Sequence, residues 1–277
     1  MSHMQSTRHL AAIGGGILVL AAAPTGHAQS LDNDYWINVQ AYYPKVDTNV
    51  RVTAETANEV GTDIDLEKDL DLDNRDFLPA VSIGSRFGKV VVGFDFFKLK
   101  RNGEKSLERE IEFDDVTYPV NAGVRSGFDS DVYRLTVGYS FVQQPDLEIG
   151  AALGVHATDF TVSIEGEVGA GELDAQSEAR RRSVLAPLPT VGLYGTWRVA
   201  DRLEANGRID YLSLSIDDYD GKLINAQAGL NYSITDNVAL GVAYRYVEYR
   251  LGVDKDNWNG RIRYRLSGPA VIAQASF

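Results

Sequence analysis

The feature that most constrains this chain is an alternation of apolar and polar residues with a period of two, which recurs from Tyr35 to the C-terminus. In the segment 35–43 the odd positions are Tyr, Ile, Val, Ala and Tyr, whereas the even positions are Trp, Asn, Gln and Tyr. The pattern returns in the segments 133–141, 224–234, 238–246 and 268–277. Because successive side chains of a β-strand point to opposite faces, the pattern predicts strands whose two faces meet different surroundings.

A soluble β-sandwich also alternates, so the composition of the second face has to separate the two folds. That face consists mainly of Gly, Ala, Ser, Thr, Asn and Gln with an occasional Arg, and it lacks the many Lys, Glu and Asp of a face in bulk water. Small polar side chains suit the lumen of a membrane barrel, whose strands alternate apolar-out and polar-in. The sequence therefore predicts an all-β fold, a transmembrane antiparallel up-and-down β-barrel.

Aromatic residues flank the apolar faces at intervals that correspond to roughly 20–25 Å along a tilted strand, which is the height of the lipid-facing band of such a barrel. The residues predicted to form the aromatic girdles are Tyr35, Tyr43, Phe77, Phe87, Tyr133, Phe141, Trp197, Tyr232 and Tyr244.

Short and long connections alternate along the chain. The short ones are 88–89, 143–146, 200–202 and 235–237, and the long polar ones are about 45–75, 100–128, 165–184 and 252–260, with a tighter one at 217–221. This order predicts ten strands with both termini on the short-turn, periplasmic side. The predicted strands are 35–44, 76–87, 90–100, 128–141, 147–163, 185–199, 203–216, 222–234, 238–251 and 261–277. Eight strands follow if one hairpin is outside the wall, and twelve if Leu107–Val116 forms an additional one.

Residues 1–28 have the composition of a secretory signal peptide, with Arg8 before an apolar run at Leu10–Ala23 and small residues around His27. A transmembrane helix would need about 20 apolar residues. The predicted organisation is thus a signal peptide over 1–28 and one barrel domain over 29–277, exported through the periplasm to the outer membrane.

The composition excludes several functions. The formal net charge is -12, which argues against a nucleic-acid-binding surface. The chain contains no Cys, so disulfides, thiolate metal sites and Cys nucleophiles are excluded. No cofactor is predicted, and the oligomeric state is left open.

The leader, the even number of alternating strands and the terminal Phe277 together resemble Gram-negative outer-membrane β-barrel proteins of the OmpA/OmpW-like superfamily. The stretches 61–70, 186–192 and 218–221 are similar to a widespread family of proteobacterial outer-membrane barrels. The resemblance covers essentially the whole mature chain and implies that the barrel-assembly machinery reads the C-terminal strand ending in Phe277. It brings no catalytic residues with it.

Charged residues also occur on the faces predicted to point inward, where unpaired charges would be costly. We expect them to form a hydrogen-bonded lumen network of Arg86, Asp95, Arg134, Glu148, His156, Glu204, Arg208, Asp210 and Arg245. One interpretation is a plug that fixes the shape of the barrel, and the other is a charge gate in a small pore.

His156 is the one histidine of the mature chain, and such a residue could serve as the base of an outer-membrane hydrolase or acyltransferase. Nucleophilic catalysis also needs a Ser within reach and an orienting group. The sequence assigns neither to His156, so we expect a non-enzymatic protein.

Two charged segments suggest binding sites. The run 63–73 alternates acids with Ile and Leu, and Asp63, Asp65 and Glu67 are weak candidates for a cation site, although the run lacks the pattern of a calcium-binding loop. Arg180, Arg181 and Arg182 are candidates for contacting lipopolysaccharide phosphates at the outer rim.

Three functions are compatible with these sequence features. The first is a structural or surface-interaction role at the cell envelope, with outer-membrane lipid and lipopolysaccharide as partners. The second is a narrow, porin-like pore for ions or small solutes, and the third is an enzyme that modifies lipid or peptide.

Overall fold

The structure is a computed structural model that describes residues 31–54, 61–168, 176–216, 219–255 and 258–277. The predicted signal peptide lies outside the described residues. Within these ranges no helix is long and apolar enough to cross a membrane.

The described residues form fourteen strands and one short helix. The first half of the chain contains β1 (Tyr35–Tyr42), β2 (Lys45–Ala54), β3 (Ile64–Asp65), α1 (Leu66–Asp69), β4 (Leu78–Phe87), β5 (Val90–Ser106), β6 (Ile111–Phe113), β7 (Val116–Tyr118) and β8 (Gly123–Gln144). The second half contains β9 (Leu147–Val168), β10 (Gln176–Ala200), β11 (Leu203–Ile216), β12 (Tyr219–Ser233), β13 (Val238–Lys255) and β14 (Trp258–Ser276).

Ten antiparallel strands close into a ring, which confirms the predicted barrel. Their order is β1-β4-β5-β8-β9-β10-β11-β12-β13-β14, and β14 pairs back with β1. The hairpin of β6 and β7 forms a separate two-stranded sheet, so the twelve-stranded alternative is wrong. At the seam, the backbones of Tyr35 and Phe277 exchange two hydrogen bonds of 2.9 Å, which place the C-terminal residue in the wall.

Four tight connections lie at one end of the barrel, which we call the turn end. They follow β4, β8, β10 and β12, and in the first of them Gly88 has a φ of 60°, a conformation that favours glycine in a two-residue hairpin. The opposite end, which we call the loop end, carries three longer connections, before β4, between β5 and β8 and between β9 and β10, and two that are only two residues long, after β11 and β13.

The first strand continues far beyond its predicted end. β1 and β2 pair with β14 in one register, with Tyr42 opposite Ala270 and Lys45 opposite Ser267. Pro44 interrupts the ladder only briefly, and a Cβ at Gly268 would lie 2.5 Å from the carbonyl oxygen of Tyr43. The predicted loop 45–75 is therefore wrong over β2.

The other predicted loops, including 252–260, are also too long, because β5, β8, β9, β10, β13 and β14 each extend several residues toward the loop end. Their outward residues there are charged or polar and resemble loop sequence. Their inward residues, such as Val124, Phe128, Val162 and Ile164, are buried at 2% exposure or less. The strands therefore project beyond the membrane as a water-exposed barrel with an apolar interior.

Aromatic side chains fill the lumen in this projecting half. Phe128, Phe160, Tyr249 and Tyr264 come from four strands and lie with ring centroids 5.2–6.2 Å apart. We call these four residues the aromatic core, and each is at most 1% exposed. The prediction that small polar side chains fill the whole lumen is thus wrong for the loop half, and it holds only for the turn half.

Two segments complete the loop half. Residues 61–77, which we call the plug segment, precede β4 in the chain. In space they lie between β2 and β5, and they bury Ile64, Leu66 and Leu70 in the interior. The β6–β7 hairpin, which we call the lid, spans the mouth. An amide hydrogen bond of 3.2 Å joins Asp114 to the carbonyl of Val52.

The outer surface of the turn half is an apolar belt. All nine residues predicted for the girdles point outward and are exposed, from Tyr133 at 42% to Phe77 at 61%. Tyr35 contacts Phe87 and Phe277 at the turn end, and Tyr43 contacts Phe77 toward the loop end. Tyr43 comes eight positions after Tyr35, which for a tilted strand is a rise of about 20 Å along the barrel axis.

Candidate functional site

The predicted lumen residues gather in the turn half, where they form two networks. The first network lies near the turn end and centres on Glu148. Arg86 Nη2 contacts Glu148 Oε2 at 2.5 Å, and Ser140 Oγ donates to Glu148 Oε1 at 2.6 Å. Ser140 also contacts the hydroxyl of Tyr194 at 2.8 Å, and Arg86 Nη1 donates to the carbonyl of Asn33 at 2.8 Å.

The second network lies nearer the aromatic core and centres on Arg134. Its guanidinium donates to Asp95 through Nη1 and to Asp210 through Nη2, the latter at 2.9 Å. Arg208 approaches Asp95 at 3.2 Å, and Asn225 Nδ2 donates to Asp210 at 3.0 Å. These five side chains come from four strands, β5, β8, β11 and β12, and two of them are on β11.

The charged side chains in the lumen of the turn half balance. Four arginines, Arg86, Arg134, Arg208 and Arg245, accompany four carboxylates, Asp95, Glu148, Glu204 and Asp210. Such balance is what a buried ion cluster needs, because removing ions from water costs several kcal/mol each and only a close opposite charge offsets that cost.

Arg245 marks the boundary with the aromatic half. Its Nε donates to Asn225 Oδ1 at 3.3 Å, while its guanidinium lies 4.6 Å from the ring centroid of Phe97. A cation over an aromatic face is stabilised by the ring quadrupole, so this residue connects the polar and apolar parts of the lumen.

His156 lies inside the second network and is 1% exposed. Its Nδ1 is 3.4 Å from Thr190 Oγ1, and its Nε2 is 3.5 Å from Asn225 Nδ2. In the described part of the chain, neither ring nitrogen has a serine hydroxyl or a carboxylate as hydrogen-bond partner. The surroundings of His156 therefore do not provide the groups of a nucleophilic triad.

A polar cavity of about 200 Å³ lies beside the networks and is lined by Asn38, Gln40, Asn206, Gln227 and other lumen residues. Since one water occupies about 30 Å³, this volume corresponds to about seven waters.

Several members of the networks are not predicted from the sequence, among them Ser140, Thr190, Tyr194 and Asn225. Alternation places each of them on an inward face, but it does not tell which inward residues of different strands meet. A glycine on the neighbouring strand accommodates Tyr194. Gly150 pairs with Tyr194, and a Cβ at Gly150 would lie 2.3 Å from the tyrosine ring.

A separate ion pair holds the plug segment. Arg101 Nη1 contacts Glu67 Oε1 at 2.5 Å and donates to the carbonyl of Asp73 at 3.0 Å. Arg101 Nη2 donates to Thr48 Oγ1 at 2.6 Å, and the guanidinium lies 5.2 Å from the ring of Phe128. This arginine therefore connects the plug segment to the wall and to the aromatic core.

The three candidate metal ligands of this segment do not come together. Asp63 pairs with Arg51, and Asp65 caps α1 by accepting from the amide of Lys68 at 3.0 Å. Glu67 is engaged by Arg101. In the described ranges no group of three or more His, Cys, Asp or Glu side chains is arranged to hold a metal ion.

Two of the three consecutive arginines bind the lid. Arg180 Nε contacts Asp115 Oδ1 at 2.5 Å, and Arg182 Nη2 contacts Asp114 Oδ1 at 2.7 Å. Arg180 and Arg182 thus pair with the lid and point toward the mouth, and contact of the three arginines with lipopolysaccharide stays a prediction. Arg181 points outward and is exposed.

Solved structures with a similar fold are outer-membrane proteins, although sequence comparisons find no relative. No protein-family model matches the sequence. A search of curated proteins found no match. The outer-membrane protease OmpT from Escherichia coli matches with a TM-score of 0.56 and 13% identity, over 90% of this chain and 98% of that one.

Two further solved structures match at lower scores. The Pseudomonas putida toluene transporter TodX has a TM-score of 0.36 and 10% identity, over 92% of this chain and 91% of that one. Neisserial surface protein A has a TM-score of 0.31 and 11% identity, over 88% of this chain and 97% of that one.

The similarity to OmpT and the apolar belt agree on one class of protein, an integral β-barrel of the Gram-negative outer membrane. The predicted outer-membrane barrel is thus confirmed. The narrower resemblance to OmpA/OmpW-like barrels stays a prediction.

The separation of the two networks can be tested by double-mutant cycles. We expect Arg86→Gln and Glu148→Gln to be coupled by about 1 kcal/mol or more in the free energy of unfolding, because the two side chains contact each other. Arg86→Gln and Asp210→Asn lie in different networks and should be additive within about 0.5 kcal/mol. The measurement is urea unfolding in detergent or lipid vesicles, and equal coupling in both cycles would contradict the separation.

The contact between the lid and the wall should depend on pH. The hydrogen bond from Arg180 holds the pKa of Asp115 below its ordinary value. The carboxylate therefore stabilises the docked lid fully above the ordinary carboxyl pKa, and this stabilisation is lost as the pH falls through the lowered value. Amide-exchange protection factors of 111–118 should decrease in that range. Asp115→Asn should lower them at neutral pH and remove this part of the pH dependence.

Proposed function

We propose that this protein is a closed, non-conducting barrel with a structural or surface-interaction role at the outer membrane. The observation that carries the proposal is the aromatic core, in which rings from β8, β9, β13 and β14 contact one another across the lumen. An ion that crossed this layer would lose its hydration without gaining polar partners, which is strongly unfavourable. The plug segment and the lid add further layers at the loop end.

A non-catalytic role is part of this proposal. OmpT is called a protease, but likeness of fold does not transfer an activity, which depends on a site. The buried surroundings of His156, with Thr190 and Asn225 as its neighbours, support a structural role for the histidine.

A narrow pore is the second candidate, and the polar cavity, which is lined in part by Arg86, Arg134 and Arg208, favours it. The cavity lies in the turn half, and the aromatic core separates it from the loop end. We therefore rank the pore below the closed barrel.

Conductance across planar bilayers distinguishes the two candidates. The wild-type protein should give no discrete conductance steps, because the aromatic core closes the lumen. A variant with Phe128, Phe160, Tyr249 and Tyr264 replaced by Ala, checked for folding by its resistance to detergent unfolding, should give steps. Discrete steps from the wild type that change with Arg134→Gln or Arg245→Gln would instead establish the pore.

We further propose that the turn end and both termini of the barrel face the periplasm, and that the loop end faces outward. All four connections at the turn end are short, whereas three of the five at the loop end are long, and this asymmetry supports the orientation.

The orientation can be tested with single cysteines, because the chain contains none of its own. A membrane-impermeant maleimide added to intact cells should label Thr117→Cys in the lid, which is exposed. It should leave Asp201→Cys at the turn end unlabelled until the outer membrane is opened. The reverse pattern would show the opposite orientation.

A further inference from the structure

Outward-facing cations are concentrated on one side of the barrel, just beyond the apolar belt. We define the cationic patch as Lys222, Arg250, Arg261, Arg263 and Arg265. These residues occupy the outer face of β12, β13 and β14. The patch is continuous across the sheet, because Lys222 lies opposite Arg250, and Arg250 lies opposite Arg263.

A single carboxylate organises the centre of the patch. Glu248 Oε1 lies 2.8 Å from Arg250, 3.5 Å from Arg263 and 3.9 Å from Arg265, and Glu248 Oε2 accepts from the hydroxyl of Tyr246. One carboxylate neutralises one of three guanidinium charges, so an excess of positive charge remains. The arginine side chains are 32–52% exposed and accessible from outside.

Other walls at this level do not share the excess. On β5, β8 and β9 the outward positions pair Lys98 with Asp131 and Lys100 with Asp129, and Asp159 lies opposite Asp131. There the acids outnumber the lysines. The chain has a formal net charge of -12, so the patch is a region of positive charge on an acidic protein. Asp47, Asp220 and Asp254 border it, opposite Arg265, Gly252 and Asn259 respectively.

The height of the patch matches the headgroup layer. Along β13, Glu248 comes four residues after Tyr244, which belongs to the girdle nearer the loop end. Four residues of a tilted strand rise about 10 Å. Below lie lipid-facing residues such as Leu240, Val242 and Val271, which are exposed at 49–58%. A lipid alongside this wall therefore has its acyl chains on the belt and its headgroup at the arginines.

We propose that the cationic patch binds the phosphate groups of lipopolysaccharide in the outer leaflet. Arginine recognises phosphate through paired N–H donors, and charge-assisted hydrogen bonds of this kind are the strong ones. The patch spans three strands, or about 10 Å at the spacing of strands in a sheet. This width suits a headgroup with more than one phosphate better than a phospholipid with one. The proposal rests on the orientation given above, but not on the closed lumen.

Binding can be measured with purified protein in detergent, in the presence of a chelator so that divalent cations do not bridge the phosphates. The probe is purified lipopolysaccharide, and the readout is the bound amount by native mass spectrometry. Replacing Arg250, Arg263 and Arg265 by Gln should weaken binding about tenfold or more, since several charge-assisted hydrogen bonds are lost. The matched control is Lys98→Gln with Lys100→Gln on the opposite wall, which should bind like the wild type.

Three comparisons identify the recognised group. Lipopolysaccharide stripped of its phosphates should bind about as weakly as the arginine variant, and phosphatidylglycerol or inorganic phosphate should not displace intact lipopolysaccharide. Equal binding by the arginine variant, equal loss in the lysine control, or displacement by phosphatidylglycerol would overturn the proposal. If the triple variant does not fold, Arg263→Gln alone should still give a several-fold loss. Because the assay uses purified protein, its outcome does not depend on the orientation in cells.

Discussion

Everything in this structure depends on the closure of the sheet, because a membrane offers no water to the backbone. Each N–H and C=O group in the hydrocarbon layer must find a partner within the protein, and for strands only a closed ring provides one. Here β1 and β2 meet β14 along nearly its whole length in one register, so the seam extends from Phe277 to the loop end. Closure also creates a lumen, which the side chains must then fill.

The lumen is filled in two chemically different ways. In the turn half the wall is surrounded by lipid, and the interior contains an ion cluster of four arginines and four carboxylates. In the loop half the wall is surrounded by water, and the interior contains aromatic and aliphatic side chains, as in a soluble protein. Arg245 joins the two halves, since it combines a hydrogen bond to Asn225 of the polar half with a contact to the ring of Phe97. At the level of the girdle nearer the loop end, the barrel therefore changes from an apolar outside with a polar interior to a polar outside with an apolar interior. We call this change the inversion.

This inversion explains what the sequence could and could not predict. A period of two correctly separates inward from outward residues, so the ten strands and the outward orientation of the nine residues predicted for the girdles follow from it. It does not distinguish a strand in water from a loop, because Lys45, Asp47, Asn49 and Arg51 are polar in either case. Contacts between strands, such as those of Arg134 with Asp95 and Asp210, depend on the stagger of the barrel. Neither the pairing of Arg180 with the lid nor that of Glu67 with Arg101 is encoded in local sequence.

The difference between the charges inside the lumen and those on the outer wall indicates where the protein can bind a ligand. Inside, each arginine has a carboxylate in the same cluster, so the lumen charges largely satisfy one another and leave little attraction for an external ion. On the outer wall, Glu248 serves three arginines at once, so their charge is only partly neutralised. Charge that is not neutralised attracts oppositely charged ligands where they can reach it. The three arginine side chains are partly exposed and lie beside the apolar belt. Recognition should therefore occur on the outside of the barrel and at its lid, while the interior holds these surfaces in place.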